Sequence, residues 1–159
     1  MKLEYEVLNG QEIDSFLQEK AELIVGAVRE QMYRTTLELL GYIKDEKLSG
    51  QLLHQRSGNL KNSGFTETTE GGGQITGFVG FGRTVPYAAI LNYGGSIDIP
   101  EVSGKLMVFE RGGNTVFTMH HRAFTVQMPA RNYLESSLEE QTPAIEAGFD
   151  AAIAAVTNA

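Results

Sequence analysis

The sequence predicts an α+β fold in which two long helices pack on one face of a twisted, mostly antiparallel sheet. Apolar residues recur at helical spacing over residues 11–44. Two pairs of short alternating segments flank glycine-rich turns, within residues 65–81 and 105–119. A last helical segment begins near residue 131. Helices covering one face of an antiparallel sheet are the α+β arrangement.

The length and composition fit a single domain over residues 1–159. Hydrophobic residues make up 42% of the chain, and there is no cysteine. The lack of cysteine excludes disulfides, thiolate metal sites and cysteine nucleophiles, and it suits a protein made in a reducing cytoplasm. No apolar run approaches the roughly 18 residues that a membrane helix needs. Residues 1–7 alternate polar and apolar side chains and do not resemble a signal peptide.

The net charge of −7 is unevenly distributed. Residues 1–50 carry 6 basic and 10 acidic groups, residues 51–134 carry 7 basic and 5 acidic groups, and residues 135–159 carry 5 acidic groups and no basic one. An acidic surface repels phosphate backbones, which argues against sequence-independent DNA binding. It is compatible with a channel through which DNA passes without being bound.

The N-terminal third is expected to be a short strand followed by a long helix. Residues 2–7 alternate as a strand does, and Asn9 is a candidate N-cap with Glu12 three residues later. An unbroken helix over residues 11–44 would be about 50 Å long at a rise of 1.5 Å per residue. Gly41 is a candidate bend, and two consecutive helices remain an open alternative.

The middle of the chain is expected to contain a short helix, a hairpin and a second short helix. Residues 52–63 form a short helix or turn, and residues 65–69 and 74–81 pair around the glycines at 71–73. Pro86 ends the second strand, and residues 87–93 form one or two helical turns that Gly94 and Gly95 stop.

Residues 96–123 are expected to leave the domain as a second, projecting hairpin. Its arms are residues 105–110 and 115–119, and a strand near residues 123–127 then returns to the main sheet. The C-terminal region is predicted to be helical in two pieces. The first piece runs from about residue 131 to residue 140, and Thr142 and Pro143 restart the helix toward residue 156.

Residues that commonly carry chemistry are few and poorly arranged. His120 and His121 are adjacent on a predicted strand, so they point to opposite faces and do not readily share a metal with each other or with His54. The sequence GFGRT at 80–84 lacks the spacing of a phosphate-binding loop, and there is no GxSxG motif. Glu139 and Glu140 fit a solvated helix face. We therefore expect no catalytic residue, no cofactor and no metal.

Three short segments, in order, resemble motifs of the phage tail-completion, or head–tail joining, proteins. Residues 56–63, RSGNLKNS, resemble R-T/S-G-x-L-x-x-S. Residues 87–94, YAAILNYG, resemble Y-A-x-x-x-E-F/Y-G, and residues 129–134, PARNYL, resemble P-A-R-P-F-L. The same order is found in virion morphogenesis proteins of Mu-type phages. The likeness covers residues 53–138.

The sequence departs from these motifs at three positions. Asn92 stands where an acid is usual, Gly95 where threonine is usual, and Asn132 where proline is usual. The apolar pattern of the motifs is kept.

The resemblance implies a structural virion protein that acts by assembly. The implied subunit forms a hexameric ring at the neck, around the DNA channel, and joins the head-completion or connector protein to the tail tube or tail terminator. It would be made in the host cytoplasm and end in the virion, with no membrane and no specific DNA contact. A tail terminator or a minor head protein is an alternative from the same class, and an enzyme acting on a small ligand is an alternative from another class.

Several residues of these motifs have expected structural roles. Gly58 permits a tight turn, Leu60 packs the short helix on the sheet, and Gly94 supplies a positive φ after Tyr93, which anchors the stop. Pro129 sets the direction of the chain into the last helix. Further residues are expected to face the core: Tyr87, Ala88, Leu91, Tyr133, Leu134 and Leu138.

Other residues are expected to take part in assembly. Arg131 lies at a helix start, where a cation is disfavoured, so it needs a partner carboxylate within the subunit or, the version we favour slightly, across an interface. Arg56 and Tyr93 belong to the same set. The projecting hairpin supplies its apolar side chains, which are Leu106, Met107, Val108, Phe109, Val116, Phe117 and Met119. An exposed hairpin this apolar needs a partner to cover it, unless it folds back over its own domain.

Overall fold

The N-terminal helix is continuous, which decides between the one-helix and two-helix predictions. The computed structural model describes residues 10–49, 58–82 and 84–158. Helix α1 spans Gly10–Tyr42, and the chain continues through a π-helical turn over Ile43–Lys47. The predicted strand at 2–7 and the predicted cap Asn9 lie outside the described residues. Gly26 does not interrupt α1, and the change of helical pitch begins just after Gly41.

The first predicted hairpin is confirmed. After the four-residue helix α2, Asn59–Asn62, strand β1 spans Phe65–Gly71 and strand β2 spans Gln74–Gly80. The two strands pair antiparallel along their whole length, and the turn places Gly72 and Gly73 at φ 62° and 77°. Helix α1 packs across this hairpin. Glycine on β2 permits the contact, since a Cβ at Gly77 would lie 2.5 Å from Cγ2 of Thr36.

The strand that follows the projecting hairpin was predicted to rejoin the main sheet, and this prediction is wrong. Strand β6, Phe124–Met128, pairs instead with β3, Gly95–Ile99, a strand that the sequence did not reveal. Helix α3, Ala88–Tyr93, precedes β3. Because β3 and β6 are the two ends of the same excursion, pairing them closes it at its base. The described strands therefore form three separate two-stranded antiparallel ladders.

The second predicted hairpin is confirmed and is longer than expected. Strand β4 spans Val102–Arg111 and strand β5 spans Asn114–His121. Gly112 and Gly113 make the turn at φ 60° and 80°. The register shifts between Ser103 and Met107, a bulge that includes a left-handed glycine, Gly104.

The C-terminal region is one helix and not two. Helix α4 spans Tyr133–Thr157 with Pro143 in its interior, so the predicted restart at Thr142 is wrong. The Thr142 hydroxyl does not cap a new helix but donates back to the Leu138 carbonyl at 2.7 Å. Long contact with α1 supports the helix on both sides of Pro143, and tertiary packing of this kind overrides local preference.

Helices α1 and α4 lie antiparallel to each other. Lys20 near the start of α1 bonds to the Val156 carbonyl near the end of α4, whereas Tyr42 at the end of α1 bonds to Glu140. Between these points a Cβ at Gly148 would lie 2.6 Å from Nε2 of Gln31. The α+β class with two long helices and antiparallel strands is thereby confirmed.

The buried core is small and lies where the two helices meet the first hairpin. Its centre is Ile43, Leu48 and Tyr133, each at most 3% exposed. Partly buried apolar side chains surround this centre: Leu39, Leu60, Val79, Phe81, Leu91 and Leu134. The core thus joins the π-helical turn to the start of α4.

Candidate assembly site

The hairpin formed by β4 and β5 projects from the domain with its apolar side chains exposed. Four of them are between 56% and 66% exposed: Leu106, Val108, Phe117 and Met119. No other described element packs extensively against either strand. The alternative in which the hairpin folds back over its own domain is therefore wrong.

The pleat sorts these side chains onto two faces. Val108 pairs with Phe117, so these two side chains lie on the same face, and Met119, two residues after Phe117, shares it. Leu106, which adjoins the bulge, is the fourth strongly exposed apolar residue of the hairpin. We call these four residues the hairpin face. Phe109 pairs with Val116 on the opposite face, where Met107 and Val116 are half-buried. Apolar groups on both sides of an unsupported ladder are unusual for a monomer.

A tight junction fixes the base of this hairpin to the domain. Gly94 has φ 73°, and a Cβ on it would lie 2.7 Å from the Ala130 backbone nitrogen. No side chain fits there, because the atoms it would meet are main-chain atoms. Pro129 follows β6 at this point. The ladder of β3 and β6 therefore leaves the domain at a defined place.

The structure brings the three motif segments together. The Tyr133 hydroxyl of the third segment donates to the Ala88 carbonyl of the second at 3.3 Å, and Leu60 of the first packs on the same core. Gly58 has φ 70°, the left-handed conformation that the predicted turn requires. The three segments thus build one structural junction. Arg56 lies outside the described residues.

Asn92 is the polar centre of this junction and is 1% exposed. Its Oδ1 accepts from the Leu134 backbone N–H at 3.1 Å, and its Nδ2 donates to the Glu135 carboxylate at 2.9 Å. Its carbonyl accepts from the N–H groups of Arg131 and Asn132, at 3.1 and 2.9 Å. From another helix, Asn92 therefore bonds to the N–H groups of the two residues before α4 and to one free N–H of its first turn, that of Leu134.

Sequence reasoning identified Asn92 only as a departure from a motif. The sequence did contain a sign of its role. Asn92 is a polar residue among the apolar residues of a short helix, and such a residue is expected to be hydrogen-bonded if it is buried. The partner segment could not be read from the sequence, because it lies about forty residues further along the chain.

Tyr133 fills the apolar part of the junction. Its ring meets Phe81 edge to face, with centroids 5.7 Å apart. Burial raises the pKa of the Tyr133 hydroxyl to about 12, and the nearby Tyr93 and Glu135 add to the shift. A neutral, hydrogen-bonded phenol at this place is a packing group.

Some residues predicted to face the core do not. Tyr87 and Leu138 are exposed, whereas Ala88 is buried and Leu91 and Leu134 are half-buried. The exposure of Tyr87 follows from the shortness of α3, which buries its Ala88 and Asn92 side and leaves the residues at its two ends exposed. Tyr93 does not anchor the helix stop as predicted: Gly94 closes the helix through its N–H to the Ile90 carbonyl.

Arg131 has no carboxylate partner among the described residues. Its side chain is exposed, and none of the ion pairs within the described ranges includes it. Its backbone N–H bonds to the carbonyls of Leu91 and Asn92. The Glu135 carboxylate, one helical turn away, is used by Asn92.

A groove of about 410 Å³ opens between α1, β2 and α4. Met32 and Leu39 of α1 form one wall, and Leu138 and Phe149 of α4 form the other. Phe78 of β2 lies in it and, like Leu138, is about half exposed. Glu135 is the acidic residue among the lining side chains. We call this feature the helix groove. Sequence reasoning did not predict it, because it depends on how far apart the elements are held.

A polar cluster links the end of α1 and the π-helical turn to α4. Lys47 of the π-helical turn donates to both carboxylate oxygens of Glu140, at 2.7 and 2.8 Å, and the Tyr42 hydroxyl donates to the same group. The hydrogen bonds from Lys47 and Tyr42 lower the pKa of Glu140, and donating to that carboxylate raises the pKa of the Tyr42 hydroxyl. Glu140 thus links the helices through hydrogen bonds, and it is not simply the solvated group that was expected.

The two described histidines, adjacent on β5, contact different groups, as expected for neighbours on opposite faces of a strand. His120 contacts Glu101 at 3.0 Å, and His121 Nδ1 lies 3.0 Å from the Arg122 carbonyl. His54 lies outside the described residues. Within the described ranges, no group of three or more metal-binding side chains converges.

Comparison with known proteins adds no relative: no protein-family model, curated protein or solved structure matches the chain. The helices of the described ranges are also not of the kind that crosses a membrane, since none combines sufficient length with sufficient apolar character.

Proposed function

We propose that the chain is a structural subunit of a tailed-bacteriophage virion, which completes the tail and joins it to the head as one member of a hexameric ring around the DNA channel. The projecting hairpin carries this proposal. Its apolar face is more than half exposed and lies away from the domain. Such an exposed apolar surface is typical of one that becomes buried on assembly.

The junction of the three motif segments gives independent support. These are the segments that resemble the tail-completion proteins, and they meet around Tyr133 and Asn92 rather than being scattered over the fold. The resemblance is thus carried by residues that cooperate in one piece of structure.

A ring is the form of assembly that such a subunit favours. One projecting element per chain produces head-to-tail contacts, and these close into a ring when the rotation between neighbours allows it. The partners we propose are the head-completion or connector protein on one side and the tail tube or tail terminator on the other. The finished location is the virion neck.

A second cleft gives little support to the alternative of an enzyme acting on a small ligand. It lies between α1 and β1, and its titratable groups include Arg29 and Glu70. These two are bonded to each other at 2.8 Å, and each is about half exposed. A pair that is already satisfied and open to water offers little to a substrate.

Electron microscopy of the purified protein, alone and mixed with tails of the phage whose genome encodes it, tests the proposal. Rings, or density at the head-proximal end of the tail, are expected. Replacing Val108 and Phe117 together by serine is expected to remove this density, whereas Tyr33→Ser, an equally exposed aromatic on α1, keeps it. Binding to heads but not to tails would indicate a minor head protein. A protein that stays monomeric and binds no virion component would overturn the proposal.

A further inference from the structure

We infer that the helix groove of one subunit receives the hairpin face of the next copy of the same chain. This inference rests on the proposed function and names the contact that would hold neighbouring subunits together.

The two surfaces match in chemistry. The hairpin face presents four exposed apolar side chains on one projecting element, Leu106, Val108, Phe117 and Met119. The helix groove is concave and mainly apolar, with half-exposed Phe78 and Leu138 at its opening. Each surface leaves large apolar side chains in water when the subunit is alone, and contact would cover both at once.

The two surfaces belong to different parts of the chain. No residue of β4 or β5 lines the helix groove, so the subunit does not fill its own groove. One hairpin face and one groove per chain make the contact heterologous: each copy donates one element and accepts one. That is the requirement for a closed ring of identical subunits.

Charge favours a second copy as the occupant. Residues 96–123 carry three acidic and three basic residues, so they contribute nothing to the net charge of −7, which lies entirely on the rest of the chain. Two domains of this charge repel each other electrostatically. The neutral hairpin can approach the acidic domain of another copy without this repulsion.

The acceptor side adds local complementarity. Helix α4 carries five acidic residues and no basic one. The exposed Lys105 of β4 and Arg122 after β5 are of the opposite sign. Glu135, whose carboxylate also accepts from Asn92, places one negative charge in the lining of the groove. A groove along an acidic helix therefore suits these basic residues of the hairpin better than it suits an acidic segment.

The absence of cysteine in the chain allows a direct test with introduced cysteines. Full-length Phe117→Cys is mixed with full-length Leu138→Cys and oxidised mildly. The mixed disulfide is expected to exceed either homodimer at least about tenfold, because only the mixed pair brings hairpin face and groove together. Phe78→Cys on β2 is a second acceptor position. All three positions are about half exposed or more, so the substitutions leave the core intact.

Ala147→Cys is the matched control on the same helix. It lies nine residues after Leu138, roughly half a turn away around α4 at about 100° per residue, and it is exposed. Phe117→Cys is expected to form no excess of disulfide with it.

The outcomes separate this inference from the proposed function. Equal coupling to the control, a predominant Phe117→Cys homodimer, or no coupling to either groove position would overturn the docking of hairpin in groove. Rings or tail caps in the microscope without the mixed disulfide would leave the virion role standing and remove this contact. The mixed disulfide in a protein that binds no virion component would keep the contact and remove the virion role.

Discussion

Asn92 and Glu135 are hydrogen-bonded across the junction of α3 and α4, with Nδ2 of the asparagine 2.9 Å from a carboxylate oxygen of the glutamate. The same amide accepts from the Leu134 N–H through Oδ1. A side-chain amide does both at once, because it carries one acceptor oxygen and two N–H donors. The carboxylate of this contact therefore comes from α4, and α3 supplies the amide that bonds to it.

The first prediction concerns this pair. Asn92→Asp keeps the acceptor for the Leu134 N–H but places a buried carboxylate against the exposed carboxylate of Glu135. We expect a loss of about 2–3 kcal/mol in the free energy of unfolding near neutral pH, from the lost donor, the burial of the new charge and its repulsion by Glu135. Urea denaturation followed by circular dichroism measures it.

The double variant provides the control. Adding Glu135→Gln to Asn92→Asp restores one donor and one acceptor across the contact, so most of the loss is expected to be recovered. Glu135→Gln alone is expected to cost less than Asn92→Asp. If the double variant were as unstable as the sum of the two single variants, the side chains would not interact and the assigned bond would be wrong.

The second prediction concerns the approach of α1 to β2. Gly77→Ala puts a methyl group 2.5 Å from Cγ2 of Thr36 and 2.7 Å from Sδ of Met32. Helix and hairpin must separate, and we expect a loss of about 1–3 kcal/mol. Thermal unfolding monitors this. Combining it with Thr36→Ser, which removes the nearest methyl, is expected to restore part of the stability.

Gly71→Ala is the matched variant in the same hairpin. Its added Cβ would have no heavy atom within 4 Å, and its φ is not in the left-handed region. It is expected to leave stability unchanged within about 0.5 kcal/mol. A similar loss in both glycine variants would point to strand propensity and away from the close packing described here.

The third prediction concerns alkaline pH. The fold raises the pKa of Tyr133 from 10.0 to about 12, so the folded state favours the neutral phenol. That contribution is complete below the unfolded-state pKa and is lost as the pH rises from about 10 towards 12. We expect the free energy of unfolding to fall over this range, and to fall less in Tyr133→Phe.

Tyr133→Phe also loses the hydrogen bond to the Ala88 carbonyl, which costs about 1 kcal/mol at neutral pH. Tyr93→Phe serves as the comparison, since Tyr93 is 64% exposed and its hydroxyl has no hydrogen bond to another of the described residues. Ultraviolet titration of the phenols in the folded protein gives an independent reading. A Tyr133 that ionises together with the exposed tyrosines would contradict the burial.

How far the sequence could predict the fold differs from element to element. The two glycine-turn hairpins were predictable because each is local: the turn residues and the alternation of the arms lie within about twenty positions. Strand β3 was not, since the alternation in Gly95–Ile99 covers only its last four residues after a pair of glycines, and the strand pairs with β6, which lies far along the chain. The same holds for the helix groove, whose walls come from three separate elements.

The candidate site divides in the same way. The apolar composition of the second hairpin was readable from the sequence, but its exposure was not, because a hairpin folded back over its own domain fitted the same pattern. The burial of Asn92 and the exposure of Leu138 did not follow, because both depend on where α4 begins and on the direction in which it packs. Local pattern predicts which side of an element is apolar, and tertiary packing decides which part of that side is covered.

Pro143 shows this competition most clearly and supplies the last prediction. The sequence Thr142-Pro143 is typical of a helix start, yet α4 runs through it. Pro143 has no N–H for the carbonyl of Glu139, so one bond of the helical ladder is missing.

Pro143→Ala restores the donor in a continuous helix, and we expect about 1–3 kcal/mol of added stability. At a true helix start the same change would be neutral or slightly destabilising, because proline is favoured at the first helical position. Thermal unfolding of Pro143→Ala beside Ala144→Gly distinguishes the two. A continuous helix gives a rise for the first and a loss of about 1 kcal/mol for the second, whereas no gain in Pro143→Ala would favour two helices.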